Sequence, residues 1–195
     1  MVKTMEKKNG LGIVMPLIAL MGLVAGIIGN LYLLSFEESA PYLQIAAVFI
    51  ILAMIAALVY VFGGFKKRGA KYYSLFIYLF ALSEFVSIIF AASIAEEDTS
   101  KSLVGVILRV ALFGILLVLA SAKDLGKTKT YTLGIILLVT DLVMFIASLV
   151  MNFTGNGSST GVIFAIRTGS NLFLSFSLLV MMIEKYADKA SRGSK

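Results

Sequence analysis

The chain has 195 residues, 59% hydrophobic and only 14% charged, with a mean hydropathy of +0.98. Soluble domains run about half apolar and about a quarter charged, so this composition points to an integral membrane protein. Cysteine, histidine and tryptophan are all absent. That excludes disulfides, the usual thiolate or imidazole metal and haem ligands, and Ser–His or Cys–His nucleophilic catalysis. The net charge of +6 does not point to nucleic acid, because the lysines lie in short loops between apolar stretches.

Six apolar stretches reach the roughly 20 residues that a bilayer crossing needs. They cover 11–35, 42–64, 72–95, 103–122, 131–153 and 161–183. The first carries Gly22 and Gly26, a GxxxG pair, with Asn30 continuing the same face. Small residues let backbones approach closely, so this face is expected to pack on another helix, in the bundle or on a partner subunit. The second stretch is nearly featureless. The third carries Ser83, Glu84 and Ser87 on one face, and the fourth carries Arg109. The fifth carries Asp141, Ser148 and Asn152. In the sixth, Arg167, Asn171 and Ser175 follow at i, i+4 and i+8, with Ser170 and Ser177 beside them.

The segments between these stretches divide by charge. Outside the stretches, the N-tail, the second and fourth loops and the C-tail hold 14 basic residues, from Lys3 to Lys195, against Lys101 alone on the opposite side. Glu37, Glu38, Glu96, Glu97 and Asp98 lie on that opposite side. Cytoplasmic loops carry the excess of Lys and Arg, so both termini are expected in the cytoplasm, with six helices between them. The expected fold is all-α: one polytopic transmembrane domain over 1–195, placed in the cell membrane, with the lipid bilayer as its surroundings.

Residues 71–125 and 128–184 align with one another. Ser83-Glu84 falls on Thr140-Asp141, and Arg109 falls on Arg167. The acid-to-base separation is 25 residues in one hairpin and 26 in the other. The first hairpin fits only loosely, with Gly22 in the acid's place. The chain therefore reads as three pseudo-repeated helical hairpins.

The four charges are the one hint of mechanism, because charge inside hydrocarbon is rare unless paired or functional. Helix rise places both acids near the midplane and both arginines about 9 Å below the outer surface. Each acid is therefore expected to pair with the arginine of its own hairpin, Glu84 with Arg109 and Asp141 with Arg167. One reading makes these pairs interhelical clamps. The other makes Glu84, Arg109, Asp141, Arg167, Ser170 and Asn171 the lining of an outward-facing polar cavity that takes a small polar or anionic ligand. No catalytic group, metal or cofactor is expected. The functional expectation is a small-solute or ion transporter, or the membrane-embedded substrate-binding subunit of one. The alternative is a non-transporting scaffold or regulatory subunit of a larger membrane complex, in contact with a partner subunit or a second copy. In size and helix number the chain resembles small substrate-binding subunits of vitamin uptake systems and small repeat-built six-helix membrane proteins. That is a likeness of outline with no motif residues behind it, and fold likeness does not carry function.

Overall fold

The computed structural model describes residues 11–35, 41–62, 69–94, 99–121, 125–154 and 159–193. Side chains are described at 17–35, 41, 44–60, 73–89, 105–121, 125–150, 152–153, 162–183 and 186. The described residues form six helices: α1 (Leu11–Leu34), α2 (Pro41–Phe62), α3 (Gly69–Ile94), α4 (Thr99–Ser121), α5 (Lys127–Thr154) and α6 (Ser159–Gly193). All but α6 are built largely from Leu, Ile, Ala, Val, Met and Phe with few polar interruptions. A helix satisfies all but its end groups within itself, which suits so apolar a sequence. Gly126 opens α5 at φ 72, a left-handed conformation that glycine adopts without a Cβ clash. Its carbonyl then accepts from the backbone N–H of Thr130 at 3.2 Å and from the Thr130 hydroxyl at 2.8 Å.

Three helices hold apolar stretches long enough to cross a membrane: Leu17–Leu34, Lys127–Val150 and Val162–Ile183. In the other three the described apolar stretches are shorter, at Gln44–Tyr60, Tyr73–Ile89 and Gly105–Ser121. The loop charges used above to orient the chain, among them Glu37, Glu38, Lys66, Lys67, Arg68, Glu96, Glu97, Asp98 and Lys123, lie outside the described residues. Several boundaries differ from the sequence reading. Helix α3 starts at Gly69 rather than 72, α4 at Thr99 rather than 103 and α5 at Lys127 rather than 131, and α6 runs on to Gly193, about ten residues past the apolar stretch. Periodic charge after 183 does not stop a helix once no Gly or Pro intervenes.

The helices follow one another around a ring. Successive neighbours α1–α2, α2–α3, α3–α4 and α5–α6 pack closely, and α6 closes on α1. Contact between α4 and α5 is sparse, and α6 also touches α2. The outer faces are apolar on all six helices, as at Met21, Ile28, Ile55, Phe85, Ile107, Val143, Phe153 and Val162. Polar and charged groups are inside: Asn30, Ser83, Glu84, Arg109, Asp141, Ser148, Arg167, Thr168, Asn171 and Ser175 are all buried. A water-soluble protein rarely exposes contiguous apolar faces on this scale. This distribution is the one that hydrocarbon surroundings favour.

The interior has two layers. Toward the ends that carry 63–68 and 122–124 it is apolar, built from Met54, Phe76, Phe80, Leu112, Leu116, Leu137, Leu174, Leu178 and Met181. Toward the other ends it is polar.

The glycine face of α1 is used within the bundle. A Cβ at Gly22 would collide with the ring of Phe173, one at Gly26 with the tip of Met54, and one at Gly29 would stand 2.9 Å from Ile166 Cγ2. Asn30 completes the seam, donating to the Gly26 carbonyl at 2.8 Å and to the Ser170 hydroxyl at 2.7 Å. Because the Phe173 ring cannot swing aside as a methionine tip can, Gly22→Ala is expected to cost about 1–3 kcal/mol. Gly26→Ala is expected to cost less. Thermal melts of the two variants in detergent test the order. Equal melting temperatures would mean that the α1–α6 seam is looser than the close approach implies.

Candidate functional site

Three rungs of α6 organise the polar layer. Arg167, Asn171 and Ser175 recur every four residues, so they stand one above another on one face. Each reaches a different partner. Arg167 donates through Nη2 to the Ser87 hydroxyl and, at 3.4 Å, to the Ser83 carbonyl. Asn171 donates to Glu84 Oε1. Ser175 donates to Asp141 Oδ2. The stripe thus spans the bundle interior, joining α6 to α3 at the upper two rungs and to α5 at the lowest.

Glu84 is held from both sides. Its other oxygen, Oε2, accepts from Arg109 Nη1 at 3.1 Å, the ion pair expected within the α3–α4 hairpin. Both side chains are buried. Arg109 also lies 5.9 Å from the centroid of the Phe164 ring on α6, where the ring face attracts the cation. Nearby, Phe85 and Phe113 stack at 5.6 Å across the same hairpin.

The second expected pair is not made. Among the described residues no ion pair joins Asp141 to Arg167, which has turned toward α3 instead. The cause is register. Ser148 meets Thr168 at 2.8 Å, and Asp141 meets Ser175, which together fix how α5 lies against α6. In that register Arg167 is level with Leu149, about 12 Å along the axis from Asp141. Equal spacing in sequence did not give equal register. The contacts of the first charged hairpin are therefore not repeated in the second.

Ser170 is also placed differently from expectation. It lies on the neighbouring face of α6, accepts from Asn30 and donates to the Ile166 carbonyl at 2.8 Å. It belongs to the α1 seam and is separate from the acid–base cluster. Ser83, Glu84, Arg109, Asp141, Arg167 and Asn171 are brought together; Gly22, Gly26 and Asn30 act elsewhere. Thr168 and Phe164 take part in contacts that could not be assigned from the residues alone, since one hydroxyl or ring in an apolar helix has no preferred partner.

Four buried polar atoms of the cluster have no hydrogen-bond partner among the described residues: Ser83 Oγ, Asn171 Oδ1, Asp141 Oδ1 and Arg167 Nε. Buried polar atoms are nearly always paired, so four orphans in one layer set it apart from a finished structural network. Neither a protein-family model, nor a curated protein, nor a solved structure matches the chain.

The two acids therefore differ in kind. Removing one partner of a buried ion pair strands the other charge, at about 3–5 kcal/mol. Glu84→Gln and Arg109→Gln should each lower the melting temperature, and the double variant should recover much of the loss. Asp141→Asn and Arg167→Gln should couple far more weakly than Glu84 and Arg109 do, because they share no contact and act on one another only through space. A coupling between Asp141 and Arg167 as large as that of the ion pair would contradict the register described here.

Proposed function

We propose that all six helices cross the cell membrane, as three related hairpins with both termini in the cytoplasm. On this reading the chain is a small-solute or ion transporter, or the membrane-embedded binding subunit of one. The polar layer is its solute site and opens outward, and the apolar layer of Phe76, Phe80, Leu116, Leu137 and Leu178 closes the cytoplasmic side. The observation that carries this reading is the mismatch in pairing. Among the described residues the four buried charges form a single ion pair, leaving Asp141 and Arg167 each without a counter-ion in contact, beside four orphaned polar atoms. A clamp has no use for an unneutralised charge in hydrocarbon, which destabilises the fold. A site that receives a solute and moves charge has a use for both. Glu84 and Arg109 then serve as the fixed wall, with Asn171 bridging them to α6.

The scaffold alternative drew on the GxxxG face, but within the bundle α6 covers that face at Gly22 and α2 covers it at Gly26. Its remaining support is α4, which meets α5 only sparsely and exposes Ile107, Val110 and Val118. A partner subunit or second copy would seat there.

Because the chain has no cysteine, one introduced thiol is the sole reactive group. Ser83→Cys changes only the orphaned hydroxyl. A small membrane-impermeant thiol reagent applied to the outer face of intact cells should label it, while Leu178→Cys in the apolar layer stays unlabelled. If Ser83→Cys resists labelling as completely as Leu178→Cys in a folded protein, the polar layer is dry and the solute site is lost.

A further inference from the structure

The two unpaired charges sit at opposite ends of the α6 stripe, and their surroundings define what each lacks. Arg167 is 2% exposed and touches only neutral oxygens, the Ser87 hydroxyl and the Ser83 carbonyl. Its Nε–H points to no acceptor, and the Ser83 hydroxyl is likewise free. The charged groups within electrostatic reach of Arg167 are Arg109 and Glu84, which neutralise one another. What remains is one uncompensated positive charge flanked by a spare N–H and a spare O–H. That donor set is complementary to an anion, and a single positive charge is balanced by a single negative one.

Asp141 is the converse. It is fully buried, it accepts from Ser175 through Oδ2, and its Oδ1 is free. The charged groups within its reach are Glu84 on α3 and Arg109 on α4, again the mutually neutralised pair; α6 offers it only the Ser175 hydroxyl. Among the described residues no cation touches it, and Arg167, at the far end of the stripe, balances its charge only through space.

We infer that Arg167, with the Ser83 hydroxyl, is the receptor for a small monovalent anion, and that Asp141 takes up one proton as the anion enters. This rests on the solute-site reading above and narrows it to a substrate class. The charge balance is simple. Without ligand, Glu84 cancels Arg109, and Asp141 offsets Arg167 across the length of the stripe. An incoming anion neutralises Arg167 and leaves Asp141 as the surplus charge. A proton from the aqueous phase, bound at a carboxylate oxygen of Asp141, restores neutrality. Anion and proton thus load together and leave together, without net charge movement. A divalent anion would leave one negative charge in the low-dielectric interior, and a cation would face Arg167. Arg109 is not the receptor, because its guanidinium is already committed to Glu84 and Phe164.

The test uses full-length protein in lipid nanodiscs at matched ionic strength, with chloride and formate as monovalent probes and sulfate as the divalent comparison. Chloride or formate should raise the melting temperature where sulfate does not, and which of the two acts tells a halide site from a carboxylate site. In weakly buffered solution over a series of pH values, a pH indicator should report proton uptake with anion binding, approaching one proton per anion at pH values where Asp141 starts ionised, as linkage requires. Arg167→Gln should weaken binding by roughly tenfold or more, a loss of at least about 1.4 kcal/mol. If that variant does not fold, Arg167→Lys, which keeps the charge but not the Nε donor, carries the comparison and should bind more weakly than wild type. Asp141→Asn should still bind the anion, with proton uptake abolished. The inference is overturned if neither monovalent probe stabilises the protein, if sulfate does so equally, if the Arg167 variants bind as wild type does, or if the anion binds without a proton. A neutral or cationic solute, glycerol or choline, that stabilises the protein through Asn171 would defeat the anion assignment and leave the solute-site reading standing. That reading fails separately, if Ser83→Cys is inaccessible to thiol reagents.

Discussion

Everything in the polar layer depends on one face of α6. Among the described residues, Arg167, Asn171 and Ser175 make the polar bridge between α3 and α5 across the bundle interior, where α3 and α6 do not pack closely backbone to backbone. In water such a bridge would be worth little, because solvent would satisfy each group equally well. Inside the bundle, where these groups are buried, fewer alternatives exist, so these contacts set the rotation of α6 about its axis. Once that rotation is fixed, the opposite side of the helix falls against Gly22, Gly26 and Gly29, and Ser170 meets Asn30. A polar stripe and a small-residue seam are thus two sides of one decision.

The division of the interior follows from the same helix. Below Ser175 the α6 sequence turns to Leu178, Met181 and Met182, which meet Leu137, Leu112 and Leu116 in a continuous apolar core. Methionine adapts its shape to irregular gaps, as the Met182 sulfur does beneath Gly134, where a Cβ would stand 2.9 Å away. The packed half holds the bundle together, while the polar half contributes direction and unmet hydrogen-bonding capacity. Stability and chemistry are therefore kept in separate layers.

Much of this was legible in the residues themselves. Hydropathy located all six helices, because an uninterrupted apolar run has few other folds open to it. The i, i+4, i+8 spacing of Arg167, Asn171 and Ser175 told that they share a face, and the isolation of Glu84 and Arg109 told that they would meet. The pairing of Asp141 was not legible. Sequence separation fixes how many residues lie between two groups, but the axial slide of one helix on another is set by packing around the turn. There the Ser148–Thr168 contact outweighs a distant charge. The destination of Ser170 was hidden for a related reason: one position along a helix is a rotation of 100°, enough to move a hydroxyl from one neighbour to the next.

Closure of the ring through α1 and α6 bears on how the protein is made. The first and last of the six helices to leave the ribosome are neighbours, and α6 carries the partners of Asn30, Ser87, Asp141 and the second oxygen of Glu84. Glu84 and Arg109 can neutralise each other as soon as their hairpin forms. Asn30, by contrast, is made 140 residues before its partner Ser170. Until α6 is made, Asn30, Ser87, Asp141 and one oxygen of Glu84 lack the partners it supplies, so α6 commits the other helices to their places.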